Sequence, residues 1–92
     1  MDLQRTRQQI LQIAAEHGAR NLRVFGSVAR RDDHADSDLD LLVDMESGRS
    51  LLDLIGLEQD LEELLNRKVD VLTAASVHPA LRERILTEAR PL

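Results

Sequence analysis

Two aspartates, Asp38 and Asp40, alternate with Leu39 and Leu41 in a short apolar segment of the chain. In a β-strand, side chains two positions apart project from the same face, so both carboxylates point one way and the leucines the other. Two acids on one face of an apolar strand are costly unless a positive charge lies between them. Ligands that are all oxygen favour Mg²⁺ over zinc. The pair therefore predicts a magnesium site.

A third carboxylate, that of Asp70, lies between Val69 and Val71 in a second alternating segment, residues 68–73. Nucleotidyl transfer needs in-line positioning and positive charge at the reacting phosphate, usually from two metal ions about 3.5–4 Å apart. A third acid on a neighbouring strand can hold the catalytic ion and accept a proton from the attacking hydroxyl. If the strand that carries Asp70 lies beside the strand that carries Asp40, the predicted catalytic residues and metal ligands are Asp38, Asp40 and Asp70.

Upstream of these acids, Gly26 and Ser27 interrupt an apolar segment that ends at Phe25. A glycine allows a close approach to bare backbone and a serine adds a hydroxyl, so the pair could receive a triphosphate. Arg30 and Arg31 follow, and either guanidinium could neutralise the phosphates. The sequence thus predicts a phosphate-binding turn shortly before the acids.

Each of these features alone also has a commonplace explanation. Two aspartates at this spacing are most often a solvated strand face, a glycine–serine pair is usually only a turn, and a lone aspartate such as Asp70 is more often not a ligand. Their co-occurrence argues for function, because six specified residues match a given window by chance at a frequency on the order of 10⁻⁷.

The rest of the chain predicts helices and strands that position these residues. An apolar stripe predicts a first helix over residues 2–17, with His17 interpreted as a histidine at the helix end rather than a ligand. A central helix over residues 50–66 begins with a capping box at Ser50, and its internal Gly56 predicts either tight packing or a bend. Strands are predicted at 22–25, from Ser37 onward and at 68–73, and a last helix at 79–89.

This order of elements predicts an α/β (α+β) fold in which helices flank a small mixed β-sheet. The loop after the first strand is too short for a helical crossover, so the first two strands are expected to be antiparallel neighbours. Residues 1–92 contain no repeat or linker and are interpreted as a single domain.

The composition excludes several classes of function. A net charge of −5 and a single aromatic residue argue against direct binding of DNA or RNA, which uses basic surfaces and stacking platforms. No apolar run approaches the roughly 20 residues of a membrane span, so no membrane association is expected. The chain has no cysteine, which excludes a disulfide framework and fits a cytoplasmic protein.

The segment G-S-V-A-R-R-D-D-H-A-D-S-D-L-D-L-L-V, residues 26–43, resembles the G-S-x-A-R-G…S-D-x-D-L-x-V signature of the minimal nucleotidyltransferases, within the DNA polymerase β-like nucleotidyltransferase superfamily. K-V-D-V-L-T and the helix after Pro79 also look like later segments of that family, so the resemblance covers nearly the whole chain. It implies the nucleotidyltransferase fold and transfer of a nucleoside monophosphate, most often AMP from ATP, with two Mg²⁺ ions. The predicted nucleotide-binding residues are Gly26, Ser27, Arg30, Arg31 and Ser37.

Many minimal nucleotidyltransferases are antitoxins encoded beside a HEPN-domain RNase toxin, which they neutralise by attaching AMP to a toxin tyrosine or by forming a complex. The resemblance therefore implies a Mg²⁺-dependent adenylyltransferase that modifies a partner HEPN-type toxin within a hetero-oligomer. The alternative is an inactive, binding-only antitoxin; the three aspartates together with Gly26 and Ser27 favour the enzyme. A small-molecule acceptor is disfavoured, because so short a chain has no room for a second domain to clamp it.

Two departures from the family pattern bear on activity. Arg31 stands where the family usually has glycine, so its side chain could contact phosphate, or could constrain the loop if the backbone there needs a positive φ. The chain also ends at Pro91 and Leu92, where relatives often continue for a few residues.

Overall fold

The computed structural model of the chain describes residues 3–32 and 37–92. Within these ranges, helices and strands alternate along the chain. They are α1 (Arg7–Glu16), β1 (Ala19–Phe25), α2 (Gly26–Arg30), β2 (Leu39–Met45), α3 (Leu51–Leu65), β3 (Val69–Thr73), α4 (Pro79–Glu88) and β4 (Arg90–Pro91). A 3-10 turn, Ala74–Ser76, connects β3 to α4.

The strands form one mixed sheet in the order β3-β2-β1-β4. β1 and β2 are antiparallel neighbours, which confirms the prediction from the short connection between them. β2 and β3 are parallel and are connected through α3. The predicted mixed sheet flanked by helices is thus confirmed, and the two strands that carry the predicted catalytic acids lie side by side.

The alternation of side chains along β2 separates the two faces of the sheet. Leu39, Leu41 and Val43 are fully buried in a core that they share with residues of α1 and α3. Leu42 is buried in a second cluster with Phe25, against which the end of α4 packs. Each large aliphatic side chain buried in this way contributes about 1.5–3 kcal/mol to stability. The acidic positions of β2 fall on the second face, the side on which α4 lies.

Local sequence signals fix both ends of α3. The Asp53 carboxylate accepts a hydrogen bond from the Ser50 backbone N–H at 2.9 Å, and this contact lowers the pKa of Asp53, so the predicted capping box is confirmed. Asn66 ends the helix in a left-handed conformation, φ +52. Gly56 lies against the His17 ring, and a Cβ there would be 2.9 Å from Cε1. Tight packing therefore explains this glycine.

Three predicted starts of elements were wrong by two residues or more, and β3 begins one residue later than predicted, at Val69. α1 begins at Arg7, residues 3–6 form turns, and the predicted start at residue 2 lies outside the described residues. β1 begins at Ala19. The prediction missed its first residues because the exposed polar residues after Ala19 conceal the alternation and a register irregularity lies among them. β2 begins at Leu39 rather than at Ser37.

Two elements were missing from the prediction. Residues 26–30, predicted as part of a polar loop, form α2; the remainder of that predicted loop includes residues 33–36, which lie outside the described residues. Pro91 was interpreted as the end of the last helix, yet it belongs to β4, which pairs with β1. In the part of the chain that the structure describes, no helix is long and apolar enough to cross a membrane.

Candidate active site

The junction between β1 and α2 carries the glycine of the sequence motif. β1 ends at Phe25 and α2 begins at Gly26 without a linker, and Gly26 has a φ of +76. A Cβ atom on Gly26 would overlap the carboxylate of Asp40 on the neighbouring strand. Glycine is therefore required both for the backbone conformation and for the close approach. The predicted phosphate-binding turn lies directly against a predicted metal ligand.

Asp40 and Asp70 occupy paired positions on the parallel strands β2 and β3. The pKa of Asp40 is raised to about 6, first by burial and then by the charges of Asp70 and Asp38, while the charge of Arg30 lowers it. A partly buried group of acids that repel one another is an environment that a bound cation stabilises. The structure thus brings Asp70 to Asp40, as expected if the third strand lay beside the second.

Asp38 is half-buried and lies one residue before β2. Its charge acts on Asp40, although in residues 3–32 and 37–92 no three acidic or histidine side chains are gathered as a ready-made metal cluster. The donor set consists only of carboxylate oxygen, which fits a hard cation such as Mg²⁺. Binding one ion through all three acids would therefore require their side chains to adjust.

The two predicted serines flank this acidic group in sequence. Ser27 is half-buried in the first turn of α2, and its carbonyl accepts a hydrogen bond from the Asp32 backbone N–H at 3.0 Å. Ser37 is half-buried and directly precedes Asp38. Both serines therefore lie next to the elements that carry the site.

The two predicted arginines have different surroundings. Arg30 ends α2, and its Nη1 donates to Glu88 Oε1 at 2.6 Å while its Nε donates to Asp32 Oδ2 at 3.3 Å. These contacts with Glu88 and Asp32 raise the pKa of Arg30. Arg31 follows with an exposed side chain and a left-handed backbone, φ +60. The backbone there does take a positive φ, which costs a residue other than glycine about 1–2 kcal/mol.

Glu88 was not part of the sequence prediction. It lies at the end of α4, 58 positions from Arg30, so no local spacing could indicate the contact. Arg30 and Glu88 also line a groove of about 210 Å³ beside Gly26, whose apolar lining includes Leu81 and Ile85. The last helix therefore forms one wall of the site.

Comparisons with known proteins identify the family and the fold of the chain. Residues 7–92 match the nucleotidyltransferase domain family. A candidate protein adenylyltransferase of Methanocaldococcus jannaschii, MJ0435, is 45% identical over 89 residues, which cover 97% of this chain and 96% of that protein. The solved structure of a candidate minimal nucleotidyltransferase has a TM-score of 0.86 at 49% identity, over 100% of this chain and 97% of the other. A toxin–antitoxin structure with AMP-PNP shares the fold, with a TM-score of 0.78 at 21% identity over 91% of this chain and 69% of the other.

The mixed sheet and the motif on it define a nucleotidyltransferase. The chain belongs to the nucleotidyltransferase domain family, as the resemblance of residues 26–43 implied, and its similarity to a minimal nucleotidyltransferase extends over its full length.

Proposed function

We propose that this nucleotidyltransferase transfers the AMP moiety of ATP to a hydroxyl of a partner protein. The observation that carries the proposal is the position of Asp40, which lies against Gly26 of the motif turn and opposite Asp70 on the next strand. The turn to which we assign phosphate binding and a group of carboxylates thereby meet in one site. The name of the M. jannaschii relative, a candidate protein adenylyltransferase, supports the same chemistry.

In the proposed mechanism, the bare backbone at Gly26 and the hydroxyl of Ser27 receive the triphosphate, and Arg30 offsets its charge, with Arg31 and Ser37 completing the binding set. The acceptor oxygen attacks the α-phosphorus while the bond to the bridging oxygen breaks, so pyrophosphate leaves with the electron pair.

The acids have separate tasks in this reaction. Asp70 takes the proton that the attacking hydroxyl releases. Two Mg²⁺ ions, held by Asp38, Asp40 and Asp70, would supply the positive charge that stabilises the transferring phosphate and the leaving group. The raised pKa of Asp40 supports this assignment, because burial and then the charges of Asp70 and Asp38 disfavour its ionised form, which a bound cation would stabilise.

The proposed acceptor is a HEPN-type toxin, modified on a tyrosine and held in a hetero-oligomer with this chain as its antitoxin. A neighbour of the same fold comes from a toxin–antitoxin structure with AMP-PNP, which supports a toxin partner and a nucleotide substrate. A net charge of −5 and a single aromatic residue disfavour a nucleic-acid acceptor.

We propose further that residues 1–92 form one functional domain. We also propose that the protein acts in the cytoplasm.

Intact-mass spectrometry of the protein encoded beside this chain, after incubation with the chain, ATP and Mg²⁺, tests the proposal. We expect a gain of one AMP, lost in Asp40→Asn and retained in Asp44→Asn. Asp44 is a matched control, because it lies on the same strand but pairs with Arg23 at 3.1 Å. Tight binding without a mass change would instead support the binding-only antitoxin, and neither binding nor modification would overturn the proposed acceptor.

A further inference from the structure

The last turn of α4 contacts the motif helix α2 through one ion pair. Arg30 Nη1 and Glu88 Oε1 are 2.6 Å apart, and the Glu88 side chain is only 19% exposed, against 47% for Arg30. A charge-assisted hydrogen bond of this length to a largely covered carboxylate constrains the guanidinium more than a fully exposed surface pair does. Glu88 therefore limits where Arg30 can point.

The C-terminal segment fixes the position of Glu88. Directly after α4, Ala89 packs against the second core cluster, and β4 pairs with β1 through Arg90 and Pro91. The Leu92 backbone N–H donates to the Leu22 carbonyl at 3.1 Å. β1 in turn leads directly into α2. The end of α4 and the start of the motif are thus attached to the same strand, which sets the distance between Glu88 and Arg30.

The contacts of Arg30 leave part of its guanidinium for a ligand. Glu88 is contacted by Nη1 and Asp32 by Nε, whereas a guanidinium has five N–H donors in a planar fork. Arg30 lines the same groove as Gly26, and Gly26 lies against the Asp40 carboxylate. The charge of Arg30 accordingly lowers the pKa of Asp40. A phosphate bound at Gly26 would then lie beside the Arg30 guanidinium, whose orientation Glu88 constrains.

We propose that Glu88 is a positioning residue, which holds the Arg30 guanidinium beside Asp40 in the orientation that binds the nucleotide's phosphates. The inference depends on the proposed function, since it assumes that a nucleotide binds at the Gly26–Ser27 turn. Through Glu88, helix α4 would then contribute to the binding of the triphosphate.

The test is the Kd of AMP-PNP with Mg²⁺, measured by calorimetry on the whole chain. Glu88→Ala should weaken binding about tenfold, and Glu88→Gln, which keeps an acceptor oxygen for Arg30, should weaken it less. Glu83→Ala removes an exposed acid from the same helix and should leave the Kd unchanged. In an Arg30→Ala background, Glu88→Ala should have no further effect, because the two residues act through one interaction.

Several outcomes would overturn the inference. Unchanged or tighter binding in Glu88→Ala would mean that Glu88 does not orient Arg30 or that it competes with the nucleotide. If Glu88→Ala also weakened AMP-PNP binding about tenfold in the Arg30→Ala background, Glu88 would act independently of Arg30, for example on folding. A thermal melt of each variant reports an effect on folding. A wild-type chain that binds no nucleotide would overturn the proposed function itself, and this inference with it.

Discussion

Asp40 lies directly opposite Asp70 across the parallel pair β2–β3, and the charge of Asp70 adds to the effect of burial in raising the pKa of Asp40. Burial and the neighbouring carboxylates of Asp70 and Asp38 raise the pKa of Asp40 to about 6, so Asp40 holds its proton more firmly than a free aspartate does. In the metal-free protein, the carboxylates of Asp40, Asp70 and Asp38 therefore repel one another in the site where the proposed reaction requires them to be ionised.

The raised pKa of Asp40, caused first by burial and then by repulsion from Asp70 and Asp38, predicts a pH-dependent stability in metal-free buffer. The ordinary pKa of 3.8 applies in the unfolded chain and about 6 in the folded one, so the folded state binds the Asp40 proton more tightly. The contribution of Asp40 protonation to the free energy of unfolding is therefore fully present at low pH and is lost as the pH rises from about 4 through 6. Asp40→Asn should raise the free energy of unfolding at pH 7.5 by about 1 kcal/mol, discounted for partial exposure, and should flatten this dependence.

Urea denaturation of both proteins between pH 4 and 8, with a chelator present, measures this effect. Asp44→Asn serves as the control, because Asp44 is outside the acidic group and contacts Arg23. A lower stability of Asp40→Asn at pH 7.5 would contradict the electrostatic assignment.

Asp70→Asn should reduce turnover far more than nucleotide affinity. The asparagine keeps the shape of the side chain but cannot accept the hydroxyl proton, and loss of a general base typically costs 10²–10⁴-fold in rate, to an order of magnitude. We expect kcat to fall on the order of a hundredfold while the Kd of AMP-PNP changes by less than about threefold. Full turnover in this variant would remove Asp70 from the mechanism.

Arg31→Gly should stabilise the protein. The arginine adopts a φ of +60, which favours glycine, and relief of that strain outweighs the added flexibility of the unfolded chain by about 0.5–1 kcal/mol. Arg31→Ala keeps the Cβ atom and hence the strain, so its melting temperature should stay close to that of the wild type. Equal stabilisation by both substitutions would show that the side chain's charge, and not the backbone, is responsible. A weaker Kd for AMP-PNP in both would identify a phosphate contact of Arg31.

His17 and Gly56 should be energetically coupled. His17 Nε2 lies 2.7 Å from Asp60 Oδ2, which agrees with its interpretation as a structural residue at a helix end, and its ring occupies the space beside Gly56. Gly56→Ala should therefore destabilise the wild type by about 1 kcal/mol but stabilise a His17→Ala variant by about as much, because alanine is the better helix former. Chemical denaturation of the four proteins measures the coupling, and additive effects would contradict it.

The features predicted correctly from sequence are those with a local signature. Alternation from Ser37 onward and in residues 68–73 identified two strands, and the position of Asp70 between valines predicted that its side chain faces away from theirs. The pairing of β2 with β3 then brings Asp70 opposite Asp40. Ser50 and Asn66 similarly marked the ends of α3. In each case neighbouring residues alone determine the conformation.

The features that were missed depend on tertiary contacts. Five residues, 26–30, are too few to show a helical period, so α2 could not be distinguished from a loop. β4 has two residues, one of them proline, and exists because it pairs with β1. The contact of Arg30 with Glu88 joins positions 58 apart and follows only from the order of the strands.

The most direct test of the central claim uses ATP labelled either at its α-phosphate or at its γ-phosphate, with Mg²⁺ and the protein encoded beside this chain. AMP transfer predicts that the partner gains label from α-labelled ATP and none from γ-labelled ATP. This labelling should disappear in Asp40→Asn and persist in Asp44→Asn. Label from the γ-phosphate, or α-label that persists in Asp40→Asn, would contradict nucleotidyl transfer at the site formed by Gly26, Asp40 and Asp70.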